Sequence, residues 1–325
     1  MKAAEIIAAR TPEWKELESD VAWFRNGSSR RDAARVARFA KRYRAVCGDL
    51  SLAISMRFPI STTEYLHQLV ADAHTQLYRA ETFRLRRWGR KVLIEVPQRI
   101  LRDPCTWISF CVFWGLFLGS LIASLSSEEF ANSIAGEHTL QQIEVMYSHP
   151  MATDVFDSSR GAMTGFYLFN NAGIGLRCFA SGIFLGVGSL MTLAFNAIIL
   201  GTIFGHMIGS PSADNFTTFV TAHGPFELTA VVLSAAAGLR LGWAIIDTRG
   251  RSRRESLRET SPRALEQAGV ATVLFLLAAY IEGFISPTEI AYEYKALTAI
   301  GSTLILLAYI VGLGSFPYRR RHRET

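Results

Sequence analysis

The chain reads as an all-α protein: a polytopic membrane helix bundle of about six membrane segments, one of them short, broken or re-entrant, with an N-terminal cytoplasmic helical domain. Three observations lead there. Half of the 325 residues are hydrophobic, and only 19% are charged. The apolar residues are gathered into runs of about 20, the length that crosses a hydrocarbon core as a helix. The charge changes sign between those runs, with a net +8 over residues 1–106, −5 over 126–162, +3 over 247–264, −3 over 265–316 and +3 over 317–325. Nucleic-acid binding would call for one continuous basic face, whereas basic and acidic blocks alternating across apolar runs follow the positive-inside pattern. The basic blocks are therefore expected in the cytoplasm, with both termini there, in the inner membrane of a bacterial cell. Membrane lipids are expected as partners and nucleic acid is not. Cys47, Cys105, Cys111 and Cys178 lie far apart with no Cys-x-x-Cys, so neither a zinc ribbon nor a disulfide framework is indicated.

Three domains are expected: 1–102, cytoplasmic and amphipathic; 103–317, transmembrane, with an acidic outer loop at 126–162; and a basic cytoplasmic tail, 318–325. No signal peptide is read in the first hundred residues, which are dense in Arg and Glu. Thr11-Pro12-Glu13 reads as a helix start and Asn26-Gly27 as its end. Ser29-Arg30-Arg31-Asp32 opens a second helix that Phe58-Pro59 stops, and Ser61-Thr62-Thr63-Glu64 opens a third that continues toward Val96. Pro97 should bend it, and Gln98–Arg102 suits a segment on the membrane surface.

Asp103-Pro104 caps the first apolar run, Trp107 to Leu125, whose 19 residues carry no charge. A short helix is expected near Gln141–Met146 within the acidic block. The stretch from Met163 to Met207 is too long for one span and short for two. It is expected to break between Asn170 and Arg177, giving a short or broken segment over about 163–176 and a long helix from Cys178 to Gly205, with a half-membrane helix as the close competitor. Spans over Phe226–Ile246, Ala264–Ile285 and Ala296–Phe316 follow, the first two separated by the arginine-rich loop Arg249–Arg263.

Ionisable and polar residues within spans are the candidates for function, since each costs free energy in hydrocarbon. Asn170, Asn171, His223, Glu227 and Glu282 form the candidate cluster, with the asparagines expected to approach His223 or Glu227. His223 and Glu227 share a helical face, which suits a metal or proton relay; Glu227 near the start of its helix equally suits a cap. Arg177, Asn196, Gly238, Arg240 and Gly242 are expected to pack or to snorkel, together with the pairs Gly115/Gly119, Gly182/Gly186 and Gly201/Gly205. No phosphate-cradling glycine loop, Gly-x-Ser-x-Gly or His-Glu-x-x-His is present, so no catalytic residue, cofactor or metal set is assigned and no enzyme is expected.

Phe169-Asn170-Asn171, Phe179, Gly182, Gly186, Gly188, Asn196 and Gly201, followed by His223-Gly224-x-Phe226-Glu227-Leu228 and Ala237-Gly238-Leu239-Arg240-Leu241-Gly242, resemble the stage II sporulation protein M family. The likeness is close from about residue 165 to 245. Ala197 departs from it, where glycine is expected after the asparagine. The resemblance implies an integral membrane component that scaffolds or localises peptidoglycan-remodelling partners in the cell envelope. A second copy of the chain is a further candidate partner. The alternative is a small-solute or ion transporter or channel whose path uses the polar groups of the membrane core.

Overall fold

The computed structural model describes residues 3–25, 33–77, 85–149 and 160–316. They fall into two compact units, Met1–Arg84 and Leu85–Thr325. All regular structure among the described residues is helical.

In the first unit, α1 (Ala3–Arg25), α2 (Ala33–Ser55) and α3 (Ile60–Leu77) close on a core of Leu17, Phe39, Val46, Leu66 and Ala73. The expected start at Thr11-Pro12 lies inside α1. Pro12 removes one backbone bond, but Ile6 before it and Trp14, Leu17 and Val21 after it bury in one core, and that packing outweighs the penalty. Helix α3 starts one residue before the expected Ser61, with the Thr62 and Thr63 N–H groups donating to the Pro59 carbonyl. The signals at Asn26-Gly27 and Ser29–Asp32, and the continuation of α3 across 78–84, lie outside the described residues. Asp20, 5% exposed, accepts from both Arg35 and Arg42, with Arg42 Nη1 at 2.7 Å. That hydrogen bond is the main reason the Arg42 guanidinium is held above its ordinary pKa.

The second unit opens with α4 (Leu85–Arg90), a π turn at Lys91–Glu95 and α5 (Val96–Arg102). Pro97 does not stop the chain. The Val96 N–H reaches back to the Lys91 carbonyl, and the widened turn leaves Pro97 in the first turn of α5, where no N–H is required. One face of this segment packs on the second unit, with Val96, Pro97, Gln98 and Ile100 buried, while Arg99 and Arg102 are exposed. Gln98 Nε2 donates to the Phe316 carbonyl and the Tyr309 hydroxyl to the Val92 carbonyl, both at 2.9 Å. Residues 85–102 thus go with the second unit, and the boundary falls after Arg84 instead of after residue 102.

There follow α6 (Pro104–Ser126), α7 (Glu128–Ala135), α8 (Glu137–Met146), α9 (Arg160–Ala180), α10 (Val187–Ile208), α11 (Ala213–Val220), α12 (Gly224–Ile246), α13 (Arg253–Phe284) and α14 (Tyr292–Leu307), the last extended by a π turn at Ala308–Leu313. Five are long and apolar enough to cross a membrane: α6, α10, α12, α13 and α14 with its π turn. The protein is a multi-pass membrane bundle. As expected, the Asp103 side chain caps α6, accepting from the Cys105 N–H at 2.9 Å. Among the described residues of the acidic block there are two short helices, α7 and α8, where one was expected.

The stretch 163–207 does break, but not between Asn170 and Arg177. Helix α9 runs through both, and the turn comes at Ser181–Gly186. Gly173 and Gly175 weaken helix in isolation; here a Cβ on Gly175 would lie 2.3 Å from Phe275 Cε2, so its bareness admits the Phe275 ring and the packing holds α9 straight. The turn falls where a backbone must approach another: a Cβ on Gly182 would lie 2.2 Å from the Gly238 carbonyl oxygen, and one on Gly242 would lie 1.9 Å from the Gly186 nitrogen. Gly186 also takes φ +80°, in the left-handed region. The segment therefore descends beside α12 from the level of Glu227 to that of Gly242, about 22 Å at 1.5 Å per residue, against about 30 Å of hydrocarbon. Helix α9 is not one of the five helices long and apolar enough to cross a membrane. Gly201 and Gly205 pack on the Phe117 and Leu121 carbonyls of α6, whereas Gly115 and Gly119 have nothing within 4 Å and are not internal packing positions.

Two outcomes are expected. Residues 1–84 expressed alone should give a helical circular dichroism spectrum and melt cooperatively, and Asp20→Ala, which leaves two arginines without their shared acceptor, should cost about 2 kcal/mol, or on the order of 10 °C in the melting temperature. In the full chain, Gly242→Ala should abolish a monodisperse gel-filtration peak in detergent, while Gly115→Ala should leave the peak and the thermal midpoint unchanged.

Candidate functional site

Two clusters of ionisable side chains lie at opposite ends of the bundle. At one end lie the start of α12, the last turn of α13 and the first turn of α14. The four-residue spacing places His223 and Glu227 on one face, with His223 Nε2 3.6 Å from Glu227 Oε2. Glu282 arrives from α13, and the three residues present ligand-capable atoms within 4.8 Å of one another. Asn171 Nδ2 donates to Glu282 Oε2 at 3.1 Å, and Asn170 Nδ2 to Asn171 Oδ1 at the same distance. All five members of the sequence-derived cluster are thus joined, although the expected partner of the asparagines was His223 or Glu227 and the contact is to Glu282.

His223 is 4% exposed; its Nδ1 meets the Ser286 hydroxyl at 2.9 Å, and its ring stands edge-on to Phe219. The helix cap position is His223 and not Gly224, and among the described residues no backbone N–H of α12 donates to the Glu227 carboxylate. Lys295, 2% exposed, donates from Nζ to the Ser286 carbonyl at 2.7 Å. Ser286 and Lys295 were not legible as site residues. Nothing in a lone serine marks it, whereas a lysine four residues into an apolar helix is a signal.

Beside this cluster, α8 and α11 form a cap over the end of α10. His206 Nε2 lies 2.6 Å from Glu144 Oε1, the Ser212 hydroxyl donates to the Glu144 carbonyl and Asn215 Nδ2 to the Tyr147 carbonyl. Tyr147, Phe204, Phe216 and Phe219 stack edge-on and tilted beneath these bonds.

At the opposite end Arg240 does not snorkel freely. Its guanidinium clamps the buried Asp103 carboxylate in two hydrogen bonds, with Nε to Oδ2 at 2.9 Å. The carboxylate that caps α6 is thus neutralised from α12. A cavity of about 410 Å³ lies against this pair, lined among others by Glu95, Arg99, Glu266 and Gln267. No residue of the His223 cluster lines it. Arg177 is exposed and Asn196 Nδ2 bonds the Thr192 carbonyl within its own helix at 2.7 Å. Ala197, where glycine was expected, is fully buried, so the core accommodates its methyl.

Residues 108–287 match the family described as Stage II sporulation protein M. Residues 4–79 match a domain of unknown function, which coincides with the first compact unit. An uncharacterized protein of Methanocaldococcus jannaschii is 27% identical over 131 residues, covering 38% of this chain and 71% of its own length. No solved structure matches.

The Asp103–Arg240 clamp is expected to behave as one unit. Asp103→Ala and Arg240→Ala should each lower the thermal stability of the purified protein, because each leaves a buried or half-buried charge unpaired. The double variant should be no worse than Asp103→Ala alone, a coupling of about 2 kcal/mol in a double-mutant cycle.

Proposed function

The chain belongs to the stage II sporulation protein M family, and from that premise we propose that it is a non-enzymatic scaffold of the bacterial inner membrane, holding partner proteins that remodel the cell envelope. The observation that carries this reading is the cap. Helices α8 and α11 are fixed on the bundle by the Glu144–His206 pair and the bonds from Ser212 and Asn215, yet they leave large apolar side chains uncovered, with Val145 73% and Met146 58% exposed. A rigid platform outside the spans, acidic and with exposed apolar groups, is a surface for protein contact. Membrane conduction finds less support, since the 410 Å³ cavity does not reach the polar cluster.

On this reading both termini face the cytoplasm and the cap lies outside. Cysteines introduced at Glu137 and Arg254 in a background without native cysteines should label from opposite sides of the membrane; labelling from one side would overturn the topology. In a deletion strain with an envelope defect, a Val145→Asp/Met146→Asp variant should insert normally and fail to restore the wild type, whereas Glu227→Gln should restore it. The reverse pattern would favour transport through the core.

A further inference from the structure

We propose that His223, Glu227 and Glu282 bind one divalent transition-metal ion of the zinc class. The inference does not rest on the scaffolding reading, and it concerns a different part of the molecule from the cap.

Geometry supplies the first argument. Three ligand-capable atoms, one imidazole nitrogen and two carboxylate oxygens, lie within 4.8 Å of one another although they come from the start of α12 and the end of α13. The His223 Nε2 to Glu227 Oε2 separation of 3.6 Å is too long for a hydrogen bond. It is close to the edge of a coordination tetrahedron, which is about 3.3 Å for bonds of about 2.0 Å. Nε2 consequently makes no hydrogen bond among the described residues, on a side chain 6% exposed and turned into the cluster. An imidazole nitrogen turned toward two carboxylates without a hydrogen bond of its own is available to a metal ion.

The surrounding groups supply the second argument. Ser286 holds Nδ1 of His223, which fixes the ring and leaves Nε2 as the lone-pair nitrogen once Nδ1 carries the proton. Asn171 holds Oε2 of Glu282, which leaves Oε1 for an ion. Orientation of ligands by such outer hydrogen bonds is the usual construction of a protein metal site.

Charge supplies the third. Two carboxylates meet with a neutral imidazole in a low-dielectric bundle, and one divalent ion brings the three to neutrality. The buried ammonium of Lys295 is committed to the Ser286 carbonyl and forms no ion pair within 4.0 Å with either glutamate among the described residues. One nitrogen and two oxygen ligands suit a borderline ion such as Zn²⁺, where Ca²⁺ and Mg²⁺ prefer oxygen alone and Cu⁺ prefers sulfur.

The test uses the full chain in detergent, with its affinity tag cleaved and metal stripped by chelation. It is titrated with Zn²⁺ or Co²⁺, and bound metal is read by elemental analysis and by the visible ligand-field bands of Co²⁺. One ion per chain is expected, with affinity reduced at least tenfold in His223→Gln, Glu227→Gln and Glu282→Gln, and about 10–100-fold in Asn171→Ala. Circular dichroism and gel filtration select the variants that fold, and any one of the three ligand variants that folds suffices. Wild-type protein that retains no ion after dialysis, or a folded ligand variant that binds as the wild type does, overturns the site. Either result leaves the complementation experiment on the cap unaffected.

Discussion

The bundle depends on one close approach of backbones, between the Ser181–Gly186 turn and α12. A Cβ on Gly182 would collide with the Gly238 backbone and one on Gly242 with the Gly186 backbone, while one on Gly238 would meet Ser189 and the Phe179 carbonyl. In lipid no hydrophobic force draws helices together, so such contacts supply the van der Waals surface that does. The consequences are positional. With the turn seated on Gly238 and Gly242, α9 must run up one side of α12 and α10 up another, and α12 becomes the most buried of the five long helices. The same seat sets the height of α9. Asn171 lies eleven residues, or about 16 Å, above Gly182 and so arrives level with the start of α12 and the end of α13, where Glu282 receives it.

The polar chemistry of the core is arranged around that frame in two separate ways. Asp103 and Arg240 form a complete pair: a capping carboxylate, satisfied by a backbone N–H and by a guanidinium, leaves no charge unpaired. The cluster at the other end is not closed in this way. Its asparagine and serine satisfy one atom each of Glu282 and His223, and the remaining atoms face one another at distances longer than hydrogen bonds. One end is thus completed by its own side chains, and at the other His223 and Glu227 face one another 3.6 Å apart without a hydrogen bond.

Much of this architecture was legible in the chain, and the failures share a cause. Hydropathy and charge alternation located the five long spans, because burial in hydrocarbon demands long apolar runs whatever the tertiary structure, although the helices expected from Cys178 and Ala264 begin at Val187 and Arg253. His223, Glu227, Glu282 and Asn171 stood out since ionisable or polar residues in such runs are expensive. What could not be read was which local signals tertiary packing would overrule. Pro12 sits inside α1 because a shared core flanks it, and α9 passes Gly173 and Gly175 because the Phe275 ring fills the space at Gly175. The glycine pairs looked alike in sequence, yet Gly115/Gly119 faces outward and Gly201/Gly205 meets α6, a distinction that exists only once neighbours are known. Ser286 joined the site with no signal at all, as a residue beyond a helix end whose hydroxyl falls against a histidine 63 positions away.

The placement of the His223 cluster beside the cap links the two surfaces physically. Phe219 contacts the His223 ring and also packs on Tyr147, and Tyr147 accepts Asn215 and stacks on Phe216 within the cap. His223 is in turn tied through Ser286 to Lys295 at the start of α14. Any group that fixes the His223 ring therefore restrains the floor on which the cap rests. Packed interiors transmit such restraint because their side chains have few alternative positions. The His223 cluster and the cap thus share one packed layer at this end of the bundle.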